Sequence, residues 1–257
     1  MKRSRIGQNF LFDPLIASRI VEQSGINRDD TVVEIGPGHG MMTRLLAERS
    51  GDLIAIELDR KLFAGLRKEF GNSGNVTLLN MDVMKYDFGQ LGPFKVVANI
   101  PYYITTPIMF KLIEGENNLR SMTLTIQKEV AERIVANPGN KQYGVLSLMV
   151  QFYGKAGILF TIPAGAFKPR PKVDSAVIKV ERHSKPPVDV HDRKLFDKII
   201  KKSFAGRRKM ISNTLKTLYP DIKSIMDEIN IAATRRPETL SMEEFANLAN
   251  KISEQHG

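Results

Sequence analysis

TVVEIGPGHGMMTRLLAER, residues 31–49, decides the fold. Thr31 to Ile35 is a short apolar run of strand length, GPGHG at 36–40 is a turn, and Met41 to Arg49 carries a helical stripe with Leu45 and Leu46 facing inward. A strand that enters a helix through glycines builds a ligand turn. Gly36 permits the tight bend and Gly38 lets the backbone approach a bound group closely. The helix start behind them adds a partial positive charge.

The same alternation continues on both sides. Asp13 followed by Pro14 starts a helix, because a capping acceptor precedes the one residue that needs no helical N–H; Leu15, Ile16, Ile20 and Val21 form its stripe. Further strands are predicted at Leu53 to Glu57, Val76 to Met81, Phe94 to Asn99 and Met122 to Gln127. The helices between them open at Asp59, at Thr106 and Pro107, and at Lys128, the last running to Ala136. Apolar strands alternating with helices predict an α/β fold, a mostly parallel sheet covered on both faces. Gln151 to Ile162 and Val173 to Glu181 read as β with no helix between, which predicts an antiparallel edge. The segment HSKPPVDV, 183–190, is a linker, and everything beyond it reads helical, with a capping box at Ser241 and Glu244 and a break at Pro237. An α/β domain over 1–185 and a small helical domain over 190–257 follow.

The absence of cysteine excludes disulfides, thiolate chemistry and cysteine-based zinc sites. No stretch has the length of a membrane span, and the basic N-terminus lacks the apolar run of a signal peptide, so a cytoplasmic location is expected. The net charge of +10 favours a polyanionic partner. Its placement adds weight: Lys2, Arg3 and Arg5; Lys168, Arg170 and Lys172; and the run from Lys198, Lys201 and Lys202 to Arg207, Arg208 and Lys209 form clusters suited to phosphate. His183, His191 and His256 lack metal-ligand spacing, and no metal is expected. His39 receives no role, and Asp192 and Asp197 read as a solvated helix face.

Glu57 ends the second strand, about 20 residues past the turn, where a carboxylate would accept from two ribose hydroxyls; Asp82 follows the third strand and could accept from an adenine amino group. Two ligands remain open on these residues, an adenosine compound without pyrophosphate and a nicotinamide dinucleotide. The dinucleotide fingerprint wants a third glycine where Met41 stands.

VVANIPYYITTPI, 96–108, contains the other candidate site. Asn99 ends a strand, at the edge where open α/β sheets bind ligands. Pro101 sets the chain direction and leaves Tyr102 as a flat face beside the asparagine. An adenine amino nitrogen is a poor nucleophile, since its lone pair is delocalised into the ring. The Asn99 side-chain oxygen and the Ile100 carbonyl could hold both amino hydrogens and expose that lone pair, with Tyr102 stacked on the base. Methyl transfer from a sulfonium would then need mainly orientation. A plain strand end and turn would have the same composition.

Together these residues resemble the KsgA-type ribosomal RNA adenine dimethyltransferases, and the likeness covers nearly the whole chain. It rests on GQNFL at 7–11, EIGPGHG at 34–40, NIPY at 99–102, QKEVAERIVANPGNKQYGVLSLMVQFY at 127–153, FKPRPKVDSAVIKV at 167–180 and FAGRRKMISNTL at 204–215. The resemblance implies a Rossmann-like class I methyltransferase sheet with a small C-terminal helical domain, and S-adenosyl-L-methionine as cofactor. It implies that Asn9, Leu11, Gly36, Gly38, Glu57, Asp82 and Asn99 contact the cofactor or shape its pocket. It implies catalytic positions at Asn99, Ile100 and Tyr102, with Phe167 on the opposite face of the target adenine. RNA contacts are expected from Lys168, Arg170, Arg207, Arg208 and Lys209. The implied activity is dimethylation of two adjacent adenosines in the 3′-terminal hairpin of 16S ribosomal RNA by a monomer acting on the small subunit. A macrolide-resistance type of enzyme acting on large-subunit RNA, and a non-catalytic ribosome assembly factor, are the rival readings.

Overall fold

The computed structural model describes residues 8–115, 118–206 and 209–256. The chain divides into two compact units, Met1–Ala131 with Ala156–Arg182, and Glu132–Lys155 with His183–Gly257. Sequence alone places a boundary between 185 and 190; the structure in addition gathers 132–155 into the second unit.

In the first unit the elements run β1 (Phe10–Leu11), α1 (Pro14–Ser24), β2 (Thr31–Ile35), α2 (Met41–Arg49), β3 (Asp52–Glu57), α3 (Arg60–Phe70), β4 (Val76–Asn80), β5 (Phe94–Asn99), α4 (Thr105–Glu114) and β6 (Leu119–Gln127). After α5 (Lys128–Ile134) and α6 (Val145–Tyr153) come β7 (Gly154–Ile162), β8 (Phe167–Lys168) and β9 (Ser175–Arg182). Seven strands form one sheet in the order β4-β3-β2-β5-β6-β9-β7. The pairs from β4 through β6 are parallel and β9 is antiparallel to β6, so the predicted mostly parallel sheet with an antiparallel flank is present. Successive residues Val32 and Val33, and Val96 and Val97, point to opposite faces and are all buried, which is why the centres of these strands are apolar on both sides.

The strand order locates the site. From β2 the chain moves outward to β3 and β4, then returns to place β5 on the other side of β2. The carboxyl ends of β2 and β5 therefore flank the point where the order reverses, with Ile35 opposite Ala98. Loops that diverge there leave a crevice.

Local chemistry sets the helix ends. Asp13 Oδ1 accepts from the N–H groups of Leu15 and Ile16 at 2.9 and 3.3 Å, and Asp59 Oδ1 accepts from Lys61 and Leu62 at 2.7 and 3.2 Å. Two expectations need correction. Gln151 to Tyr153 are the end of α6, and the strand begins only at Gly154. VLSLMVQFY is apolar on nearly all sides because nearly all of it is buried, so it has no period to separate helix from strand. The helix read from Thr106 and Pro107 starts at Thr105, after a single 3-10 turn over Tyr102–Ile104. Pro107 is thus the third helical residue, still among the four whose N–H has no helical partner.

The second unit packs α6 with α7 (Arg193–Ser203), α8 (Ile211–Leu215), α9 (Ile222–Glu228) and α10 (Met242–His256). Its centre is aromatic: Phe152 lies 5.1 Å from Phe196, and Phe204 lies 6.0 Å from Phe245, ring centre to ring centre. The predicted capping box is closed, with the Ser241 N–H donating to Glu244 at 2.8 Å and the Glu244 N–H to Ser241 Oγ at 3.2 Å. Asp192 and Asp197 do more than solvate a face. Asp192 caps α7, and Asp197 accepts from Arg193 Nε at 2.7 Å.

Candidate functional site

A cavity of about 490 Å³ opens at the reversal point. That size suits a compact organic ligand. Leu11, Gly36, Gly38, Met41, Asn99 and Lys168 are in its wall. The glycine turn, the end of β5 and the N-terminal GQNFL segment, three stretches far apart in sequence, therefore meet around one space.

Backbone conformation explains both glycines. Gly36 and Gly38 have φ of +68° and +61°, a region that side chains disfavour. A Cβ on Gly36 would meet nothing within 4 Å, so its missing side chain leaves room in the cavity. A Cβ on Gly38 would come within 3.0 Å of the Phe10 ring.

Asn99 is held in one orientation. Its Nδ2 donates to the Asn9 carbonyl at 3.0 Å, which leaves Oδ1 as the remaining acceptor. Asn9 thus acts through its main chain, by fixing the amide. Ile100 follows with its side chain 1% exposed, and its N–H donates to the Thr125 carbonyl at 3.2 Å. Tyr102 is half-buried on the 3-10 turn, and its hydroxyl lies 2.6 Å from Ser175 Oγ. Burial raises the Tyr102 phenol above its ordinary pKa, which keeps the ring neutral.

Glu57 and Asp82 stand at the carboxyl ends of neighbouring strands, outside the lining of the cavity. Glu57 is 3% exposed; Oε2 accepts from the Gly38 N–H at 3.1 Å and Oε1 from the Asp59 N–H at 2.8 Å. Burial pushes its pKa up, against the pull of these two bonds. Asp82 Oδ1 accepts from the Met84 N–H at 2.9 Å and caps a single turn. Both carboxylates keep lone pairs for a ligand, since each oxygen can accept twice. Beneath the turn, Glu34 is fully buried and neither carboxyl oxygen has a partner. Burial raises its pKa to about 8 and holds it neutral near pH 7.

Phe167 is 2% exposed and packs into the apolar cluster with Leu11, Ile20, Val97 and Val177. A two-residue ribbon places it opposite Leu11, and Lys168 opposite Phe10. In this structure its ring is therefore core, outside the cavity wall. Lys168 is exposed, with Nζ 4.6 Å over the Phe12 ring, and Arg170 and Lys209 are exposed. Arg207 and Arg208 lie outside the described residues. Several wall residues carry no site role in the sequence reading, Phe10, Phe12, His39 and Arg44 among them; the Phe10 ring edges onto His39 at 4.8 Å. The one available signal was the position of Phe10 and Phe12 on either side of Leu11 in GQNFLF. Among the described residues no group of acids and histidines could hold a metal ion, and no helix is long and apolar enough to cross a membrane.

Residues 1–254 match the family model of the ribosomal RNA adenine dimethylases. The chain is similar to proteins named ribosomal RNA small subunit methyltransferase A. That of Clostridium botulinum (strain Kyoto / Type A2) is 44% identical over 254 residues, covering 96% of this chain and 92% of the relative. That of Enterococcus faecalis is 43% identical over 265 residues, covering 97% and 90%. Among solved structures, a dimethyladenosine transferase from Plasmodium falciparum superposes with a TM-score of 0.82 at 24% identity, covering 96% of this chain and 98% of the other. The 23S rRNA methyltransferase ErmE superposes with a TM-score of 0.75 at 24% identity, covering 95% and 100%. At that identity the two structures speak for the fold.

Proposed function

The chain belongs to the ribosomal RNA adenine dimethylase family, and from that premise we propose that it dimethylates two adjacent adenosines of 16S ribosomal RNA, in the 3′-terminal hairpin, late in small-subunit assembly. Relatives at 41 to 44% identity that carry the small-subunit name support this reading over the large-subunit one. The observation that carries the chemistry is the Asn99 amide, oriented by Asn9 in the wall of a cavity at the strand reversal. A non-catalytic assembly factor would need neither the orientation nor the cavity.

S-Adenosylmethionine, the cofactor in this reading, supplies an activated methyl group on sulfur. The cavity fits it: Gly36 keeps a side chain out of the ligand space, Gly38 makes room for the Phe10 ring, and Leu11 and Met41 add apolar wall. Glu57 and Asp82 hold acceptors at the sheet edge for hydroxyl and amino groups. Asn99 Oδ1 and the Ile100 carbonyl accept the two hydrogens of the adenine amine and direct its lone pair. Tyr102 offers a face worth about 1–3 kcal/mol of stacking. No strong base is needed, because the amine loses its proton only after it has become cationic. The target base must leave its stack to reach the pocket. Phe167 would cover the far face of that base only if its ring left the apolar cluster.

The protein acts as a cytoplasmic monomer in this reading, with the helical segment 190–257 as the ribosome-binding domain. Purified protein, immature small subunits and radiolabelled cofactor should yield labelled dimethyladenosine. Label on naked large-subunit RNA, with none on small subunits in any assembly state, would reverse the assignment.

Lys168, Arg170, Arg207, Arg208 and Lys209 are the proposed phosphate-binding side chains. Replacing the last three by Ala should reduce the slope of log affinity against log salt by about 0.7–0.9 for each phosphate no longer neutralised. A salt titration of subunit binding reads this directly, and an unchanged slope moves the RNA surface elsewhere.

A further inference from the structure

Ser175 opens β9 and has no solvent exposure. It faces Gln127 across the β6–β9 pair, and its Oγ is 2.6 Å from the Tyr102 hydroxyl. That bond joins the base-stacking turn to a strand on the antiparallel flank of the sheet. The residue before it is tied on both sides. The Asp174 carbonyl accepts from the Lys128 N–H at 3.0 Å, and Asp174 Oδ1 accepts from the Ala164 N–H at 3.0 Å. Ser175 therefore sits on backbone that is fixed to the end of β6 and to the turn Ala164–Ala166.

Tyr102 has no such support of its own. It rides on a single 3-10 turn, and the next residue, Tyr103, is 62% exposed. The para oxygen of a tyrosine lies on the ring's own rotation axis, so a hydrogen bond there fixes the first side-chain torsion, and with it where the ring sits, while the preference of a phenol O–H for the ring plane gives a weaker hold on its tilt. The separation is in the normal range for a hydroxyl pair.

We propose that Ser175 is a positioning residue for methyl transfer: its hydroxyl tethers the Tyr102 hydroxyl and presets the place of the ring on which the target adenine stacks. The inference rests on the functional reading above. Tyr102 touches the base; Ser175 acts only through Tyr102. Holding the ring before RNA arrives places the amine on the line of transfer without an ordering step at the moment of reaction.

The test compares wild type, Ser175→Ala, Tyr102→Phe and the double variant in single-turnover methylation of immature small subunits at saturating cofactor. Each single change should slow transfer by about 3- to 10-fold, the worth of one hydrogen bond. Cofactor and subunit affinities should stay at the wild-type values. The double variant should be no slower than the slower single one, because both remove the same bond. Ser175→Thr, which keeps the hydroxyl, should recover most of the rate. A wild-type rate for Ser175→Ala, or slowing that multiplies in the double variant, overturns the tether. NMR of a carbon-13-labelled tyrosine ring reads the same bond without activity. The Tyr102 signal should broaden or shift toward a mobile ring in Ser175→Ala, and an unchanged signal also overturns the proposal. Wild-type protein that labels no adenine would sink the functional reading alone and leave the ring measurement to judge the tether.

Discussion

Asn99→Ala is expected to slow methyl transfer by about 10²- to 10³-fold, the usual loss when one preorganised polar group leaves a site of developing charge. The structure says why a single amide should matter so much. One of its N–H groups already donates to the Asn9 carbonyl at 3.0 Å, so the amide is held in one orientation in the cavity wall. The alanine variant removes the acceptor and the orientation together. Subunit binding should persist, since no phosphate-binding side chain is touched, and cofactor affinity should fall only as far as the loosened N-terminal segment requires. Single-turnover rates, with sedimentation binding beside them, separate these effects. Asn99→Asp sharpens the experiment. It keeps an oxygen but sets a carboxylate against the Asn9 carbonyl, and it should be nearly as slow. A loss of less than tenfold for both variants would show that the amine is activated by something other than this amide.

The second large effect belongs to Glu57→Ala, which should weaken cofactor binding by about 30- to 100-fold and destabilise the fold by about 2–5 kcal/mol. One carboxylate holds two N–H groups from different elements, Gly38 in the glycine turn and Asp59 at the start of α3. Removing it leaves both donors without a partner inside a site that is 3% exposed. The turn then loses the restraint that keeps Gly38 at φ +61°. Glu57→Gln should be intermediate in stability, because the amide keeps one acceptor and turns an N–H toward the other donor. Calorimetric binding of the cofactor and urea unfolding give the two numbers separately. If stability falls while cofactor affinity does not, Glu57 is a brace for the turn and the ribose contact lies elsewhere.

Much of this molecule was legible from local chemistry. Asp13 before Pro14, Asp59 before Arg60 and the Ser241–Glu244 box each satisfy a helix start with atoms only two or three residues away, so no knowledge of the fold was needed to place them. β2 and β5 were legible because a strand covered on both faces is mostly apolar, as Val32 and Val33 and Val96 to Ala98 are here. The failures were of the opposite kind. In α6 the burial of nearly every side chain erased the helical period, and the end of that helix looked like strand. Phe167 has the composition of an exposed loop around it, yet a two-residue pairing with Leu11 turns its ring into the apolar cluster.

The amino-acid order by itself determined the parallel α/β class, the glycine turn, the Asn-Ile-Pro-Tyr stretch and the likeness to a family of RNA-modifying enzymes. Those follow from residue type and short spacing, which the chain carries whether folded or not. Only the tertiary structure decided that β5 returns beside β2, that Asn9 orients Asn99, that Glu57 accepts from the Gly38 N–H, and that Ser175 reaches Tyr102. These are meetings between residues remote in sequence. They exist because the sheet closes in one strand order, and no local pattern encodes that order.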